Sequence, residues 1–252
     1  MLRKIYPLFA VAILLNAIVI GADLQRLMDD ADAAYTSGNF PKAVSLYSQI
    51  LKSGYTSAVL EYNLGSAYFK IDSIGAAILH LERARRLAPR DEDILFNLEY
   101  AKVHRKDELA LPGKSALVNM FESLRNYFTL NELSWTLLFL WLVVVSTFMV
   151  YWFRRGIRGG KVWLYLFLTS SLVFILSAGW VADRYRLDSR EQIIVMVDEV
   201  QVHSAPVETS KVLFILREGM EGTVRERTEG WYEIKLADGK TGWIPTHAIA
   251  SI

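Results

Sequence analysis

Four histidines, His80, His104, His203 and His247, are the natural places in this chain to look for metal or acid–base chemistry. They share no metal-ligand spacing, and the chain has no cysteine to accompany them. The sequence contains no Gly-x-Ser-x-Gly elbow, no phosphate-cradling glycine loop and no His-Glu-x-x-His pair. The acidic residues of the first half read as solvated helix faces. The expectation is therefore a non-enzymatic protein without metal or cofactor. What remains is recognition chemistry. Tyr62-Asn63-Leu64 returns 34 residues later as Phe96-Asn97-Leu98, a ring beside an amide each time. Amides of this kind can pair with the backbone of an extended peptide while rings cover its side chains. Trp231 and Trp243, each preceded by glycine, form a second aromatic pair. The formal net charge of +1 gives no global basic field that would argue for nucleic acid.

Two apolar stretches, Leu133–Phe153 and Val162–Ala182, divide the chain, and neither holds an Asp, Glu, Lys, Arg or His. At about 1.5 Å rise per residue, 21 helical residues reach roughly 31 Å, the thickness of a bilayer's hydrocarbon core. As core helices of a soluble protein they would need burial on every side, and the chain has no comparable mass to supply it. The sequence predicts a transmembrane helical hairpin. Its connector, residues 154–161, carries Arg154, Arg155, Arg158 and Lys161 and no acid, which favours the cytoplasm. Everything before and after the hairpin then shares the outer side. Trp135, Trp152 and Trp163 fall near the span ends, as interfacial aromatics do.

The first residues agree. Arg3 and Lys4 precede the apolar run Ile5–Ile20, and Gly21-Ala22 supplies small residues before Asp23. That order is a secretory signal over residues 1–22, cleaved or retained as an anchor. With no cysteine, a lipoprotein anchor is excluded. Ahead of the first span, residues 107–132 form a linker. Leu111-Pro112-Gly113 breaks any helix, and then Leu117, Met120, Phe121, Leu124, Tyr127 and Phe128 recur at helical spacing. That amphipathic segment would lie on the membrane boundary or dock under the preceding domain.

The segment 23–106 is repetitive. Gly38-Asn39-Phe40-Pro41-Lys42-Ala43 aligns with Asp72-Ser73-Ile74-Gly75-Ala76-Ala77 at an offset of 34, and Ala67 aligns with Ala101. The copy holding Leu64-Gly65, Tyr68, Ala77, Leu81, Ala84 and Pro89 resembles the tetratricopeptide repeat, a helical hairpin stacked into a solenoid. Gly65 and Ala77 would let paired helices approach, with Tyr68 and Leu81 filling the space beside them. Glu61 departs from the motif, standing where Trp is common, and the first copy has Ala31 for the glycine and no closing proline. The resemblance implies two repeats and a capping helix. By its pattern, Tyr35, Tyr62, Asn63, Phe69, Lys70, Phe96, Asn97 and Tyr100 are candidates for a concave peptide-binding face, although several of these rings would equally serve as packing between repeats.

Beyond the hairpin the pattern becomes one of short strands. Val200–His203, Val212–Leu216 and Thr223–Glu226 are separated by turn residues, and Trp231–Leu236 is joined to Lys240–Ile244 through Asp238-Gly239, a tight hairpin signal. Tyr232, Ile234 and Leu236 alternate toward a core while Glu233 and Lys235 face water. Gly230-Trp231-Tyr232 and Asp238-Gly239-Lys240-Thr241-Gly242-Trp243-Ile244 resemble the bacterial SH3-like domain. Over residues 191–252 that resemblance implies a small all-β barrel in which Trp231 and Trp243 form an aromatic cleft for peptides or cell-wall stems, unless one of them fills the core or rim.

The fold class expected is a multidomain membrane protein: an α-solenoid of tetratricopeptide repeats, a hairpin of transmembrane helices (133–153 and 162–182) and an SH3-like barrel. This order resembles the BatE-like repeat proteins of bacterial aerotolerance (Bat) operons. The resemblance implies a scaffold in the bacterial inner membrane, multi-pass, with both soluble modules periplasmic. Its partners would be membrane proteins with von Willebrand factor A domains from the same operon, alongside a MoxR-type ATPase. The other reading is a peptidoglycan-sensing adaptor whose SH3-like domain binds wall peptides.

Overall fold

The computed structural model describes residues 21, 23–105, 120, 127–157 and 159–252. All of the proposed signal segment except Gly21, and most of the amphipathic linker, lie outside these residues. The described chain divides into two compact units. One joins the helices before residue 110 to Gln192–Ile252, and the other lies within Leu111–Glu191.

The first unit begins with five helices: α1 over residues 23–36, α2 (Phe40–Lys52), α3 (Ala58–Lys70), α4 (Ile74–Leu87) and α5 (Glu92–Val103). α2 and α4 start 34 residues apart, as do α3 and α5. The turns preceding α2 and α4 share a left-handed residue, Gly38 at φ +79° and Asp72 at φ +60°, also 34 apart. Local caps start most helices: the side chains of Asn39, Ser57 and Asp91 accept from the first-turn amides of α2, α3 and α5. Small residues set the helix spacing. A Cβ on Gly65 would come within 2.8 Å of Leu81 Cγ and 3.1 Å of the Ala77 carbonyl oxygen, and Ala77 itself is fully buried. Ala31, Ala34, Ala43, Tyr47, Ile50, Leu60, Leu64 and Ala67 form the core of the first hairpin and its neighbour.

Seven strands complete this unit: β1 (Gln192–Val195), β2 (Glu199–His203), β3 (Val212–Arg217), β4 (Glu221–Thr228), β5 (Trp231–Lys235), β6 (Thr241–Pro245) and β7 (Ile249–Ser251). They form one sheet in the order β3-β2-β6-β5-β4-β1-β7. Bulges between Val202 and His203 and between Val224 and Glu226 bend it around a core of Ile193, Val202, Leu216, Ile234, Leu236 and Ile244. Gly239, at φ +91°, turns β5 into β6. The alternation expected of Trp231–Leu236 is present, with Ile234 and Leu236 buried and Tyr232 packed against the core. Strands β1 and β7 go beyond the strands expected from sequence.

Those two strands fasten the sheet to the helices. Ile74, Ile78, Leu79, Leu81, Leu98 and Ala101 share one apolar core with Ile194, with Met196, Ala250 and Ile252 packed against it. Ser73, at the start of α4, makes no side-chain cap. The Gly75 amide donates instead to Glu218 Oε1 at 2.7 Å, across 143 residues of chain. Arg83 donates to the Ser251 carbonyl at 2.6 Å, and Arg86 to the Ile252 carbonyl at 2.9 Å. Lys102 bridges Glu82 and Glu221, each at 2.7 Å.

The second unit contains α6 (Leu130–Arg154) and α7 (Gly160–Asp188), both long and apolar enough to cross a membrane. A capping box of Thr129 and Glu132 opens α6. Thr147 Oγ1 and Ser170 Oγ meet at 3.2 Å between the helices, and Phe148 packs on Phe167 with ring centroids 5.3 Å apart. At the connector, Arg155 lies over the Trp152 ring at 3.9 Å.

Candidate functional site

Seven of the eight helical residues singled out from sequence line two adjoining cavities. The larger, about 370 Å³, is bordered by Tyr35, Tyr62 and Asn63 together with Asp32, Thr36, Tyr47 and Ser66. The smaller, about 140 Å³, is bordered by Phe69, Lys70, Asn97 and Tyr100, with Leu81 behind them. Tyr35, Tyr62 and Ser66 border both, so the two cavities form one groove across the first helices of successive hairpins, α1, α3 and α5. Phe96 borders neither cavity. It stands at the rim, 69% exposed, with its ring stacked 6.2 Å from that of Tyr100. Tyr100 in turn packs against Phe69 at 5.3 Å and His104 at 4.3 Å.

The amides are less free than the sequence suggests. Asn97 Nδ2 donates to the Tyr62 hydroxyl at 2.9 Å and to the Asp93 carbonyl at 2.8 Å, which uses both of its hydrogens. Asn63 Nδ2 donates to Asp32 Oδ1 at 3.3 Å. Pairing with a peptide backbone therefore falls to the carbonyl oxygen of Asn97, and to the carbonyl oxygen and second amide hydrogen of Asn63.

Sequence reasoning passed over Asp32, counting it among the solvated acids. The Tyr47 hydroxyl donates to the same Asp32 Oδ1 at 2.5 Å. Burial, followed by this bond and the Asp32 charge, raises the Tyr47 pKa far above the usual phenol value. Burial also raises Tyr35, with Tyr62 adding to it, and raises Tyr62, with Asp93 and Asp91 adding to it. These phenols stay neutral at ordinary pH. A signal for Asp32 does exist in the sequence: Asp32, Ser66 and Tyr100 stand 34 residues apart, the same place in α1, α3 and α5.

On the sheet, Trp231 pairs with Pro245 and Glu233 with Trp243, while Ile244 pairs with Tyr232. Alternation therefore puts both indoles on the face opposite Ile234 and Ile244. His203 of β2 pairs with Trp243, and its ring meets the Trp231 ring edge-on at 5.3 Å. The buried imidazole thus backs both indoles, which are partly exposed. Gly242 is needed beside them because a Cβ there would sit 2.5 Å from Val202 Cγ1. Among the described residues, no group of three His, Asp or Glu is placed to hold a metal ion.

Residues 198–250 match the family model of the bacterial SH3 domain. The chain thus carries a bacterial SH3 domain, and a domain of that class points to protein or peptidoglycan binding. Among solved structures, the C-terminal SH3 domain of myosin IB from Entamoeba histolytica aligns at 24% identity and a TM-score of 0.20, covering 25% of this chain and 86% of that one. No curated protein matches the chain.

Proposed function

We propose that this protein is a non-enzymatic, membrane-anchored scaffold that captures an extended peptide segment of a partner protein in the helical groove. The observation that carries the reading is the groove itself. Two cavities share the walls Tyr35, Tyr62 and Ser66, and rings and amides run along a path longer than a single side chain requires. The 34-residue spacing of the helices supports a tetratricopeptide-type solenoid as the frame. The length and composition of α6 and α7 support a transmembrane hairpin. The fastening of β1 and β7 to α4 and α5 supports placing the helical and SH3 parts on one side of that membrane. With the cations of the connector inside, that side is the periplasm. A Bat-type envelope complex, with von Willebrand factor A-domain proteins as partners, fits this arrangement.

A photo-crosslinking residue at Phe96 tests the proposal in native membranes. It should capture a discrete partner, while the same residue at Leu87, exposed on α4 and outside both cavities, should not. Equal labelling from both positions would remove the groove from the function.

A second reading is favoured by the indole face backed by His203 and by the bacterial SH3 match: a peptidoglycan adaptor. Full-length protein should then sediment with insoluble peptidoglycan, and Trp243→Ala should abolish sedimentation. The full chain is required because β1 and β7 complete their packing on the helices.

A further inference from the structure

We infer that the larger cavity is a subsite for a cationic side chain, with Asp32 as counter-ion to the ammonium or guanidinium of the bound peptide. This rests on reading the groove as a peptide site and specifies what enters it. Asp32, Ser66 and Tyr100 occupy one position in the first helices of successive hairpins, α1, α3 and α5, so the row along the groove changes from acid to hydroxyl to phenol. Of the residues bordering the larger cavity, Asp32 alone is charged. Its two in-chain donors, the Tyr47 hydroxyl and Asn63 Nδ2, both address Oδ1. Among the described residues, none donates to Oδ2. A carboxylate oriented by two donors on one oxygen presents the other to a ligand.

The surroundings favour a cation on independent grounds. Rings of Tyr35, Tyr47 and Tyr62 border the cavity, and neutral aromatic rings attract an ammonium or guanidinium through their faces. Asp91 and Asp93 reach Tyr62 with their fields and add negative potential on the far wall. The one cation of the groove, Lys70, borders only the smaller cavity. The larger cavity thus holds an acid and the smaller one a lysine, a difference that would also orient the peptide. At about 370 Å³, the larger cavity corresponds to roughly twelve waters at ~30 Å³ each, room enough for a lysine or arginine side chain. Two sources present such a group: a lysine or arginine of a protein segment, or the free side-chain amine of a wall-stem peptide.

The test begins with full-length protein in nanodiscs, used to select binders from a displayed library of random decapeptides. A selected lysine peptide is then compared with its norleucine analogue, which keeps the carbon chain and removes the charge. The wild type should bind the norleucine peptide about tenfold more weakly, and Asp32→Asn should bind the two within twofold. Melting of Asp32→Asn monitors its fold. Should that variant unfold, the wild type alone decides: raising the ionic strength should weaken the lysine peptide and leave the norleucine peptide unchanged. Binders without a basic residue, a norleucine penalty that persists in Asp32→Asn, or identical salt dependence would overturn the cation subsite while leaving the groove intact. Recovery of no groove-dependent binder would overturn the groove reading, and this inference with it. Competition by a wall-stem peptide with a free amine, but not by its acetylated form, assigns the cation to the wall. Lack of competition assigns it to a protein.

Discussion

Gly75→Ala separates two accounts of α4 by the sign of its effect. On helix propensity alone the change should stabilise, since Ala exceeds Gly by up to about 1 kcal/mol in a helix, and by less in the first turn. The docking of the sheet predicts the opposite. An alanine Cβ at this position would lie 2.7 Å from the Val195 carbonyl oxygen and 2.8 Å from Glu218 Cγ. The Glu218 side chain can swing away, but the Val195 backbone is held in β1 by pairing to both β4 and β7. Relief would come from moving β1 off α4, which stretches the 2.7 Å bond from the Gly75 amide to Glu218 and loosens Ile194 in the shared core. Overpacking of this kind costs roughly 1–3 kcal/mol, and weakening a bond to a charged acceptor adds to it. Against the smaller propensity gain, a net loss of about 2 kcal/mol is expected, or ~4–8 °C in Tm for a unit of this size. Melting of the full chain in detergent reads the total, and hydrogen exchange locates it. Amides of Ile194 and Val195 should exchange faster in the variant, while those of α2 keep their protection. A Tm that is unchanged or raised, with β1 still protected, would refute the docking.

Three further outcomes are expected. Burial alone would raise the Glu82 carboxyl, but Lys102 and Arg85 overcome it and hold its pKa below the ordinary 4.5; burial likewise opposes the Lys102 charge, and Glu82 and Glu221 hold its pKa above the ordinary 10.5. The Glu82 contribution is therefore present above pH 4.5 and lost as pH falls through its lower folded value. The Lys102 contribution is present below pH 10.5 and lost as pH rises through its higher folded value, so Tm should be level between and fall at both ends, more steeply than in Glu82→Gln/Lys102→Met. Ala77→Leu should destabilise the helical part by roughly 1–3 kcal/mol in thermal melts, because Ala77 is fully buried against the close approach at Gly65; an unchanged melt would show that the site can open freely. Alkaline phosphatase fused after Arg105 and after Ile252 should be active, and fused within residues 154–161 inactive; an inactive fusion after Ile252 would overturn the hairpin topology.

The repetitive and local features could be read in the sequence. The offset of 34 in the aromatic–amide pairs picked out Tyr62, Asn63 and Asn97, which border the groove, and Phe96, which stands at its rim. Asp238-Gly239 located the β5–β6 turn because its geometry needs a residue at positive φ. The missing parts depend on contacts with no local signature. The Gly75 amide meets Glu218 across 143 residues, and neither residue type announces a partner. Gly75 enters the sequence reading only as one position of the 34-residue alignment, whereas in the structure its space is taken by β1. Strands β1 and β7 are four and three residues long, too short for alternation to register. Asp32 was passed over because an exposed acid on a helix ordinarily meets water. Only its register with Ser66 and Tyr100, combined with the hydroxyl of Tyr47 reaching back to it, marks it as part of a site.

The docking changes what the recognition surfaces can do. The sheet meets the helices through β1, β7 and the turn at Glu218–Glu221, so neither the β5–β6 indole face nor the α1–α3–α5 groove is consumed by the contact. Both surfaces therefore belong to one folded body instead of two modules on a flexible tether. A partner that engaged the groove and the indole face together would lose only the entropy of its own chain between them, and the second contact would form at an effective concentration set by that chain alone. A partner reaching only one surface would gain nothing from the other. The same fastening bears on topology independently of the arginines in the connector. Sequence on each side of α6–α7 contributes to a single apolar core through Ile78, Leu98 and Ile194. A bilayer crossed an odd number of times between those residues would leave each half with its apolar face in water, so the packing of Ile194 on α4 and α5 excludes an odd number of crossings.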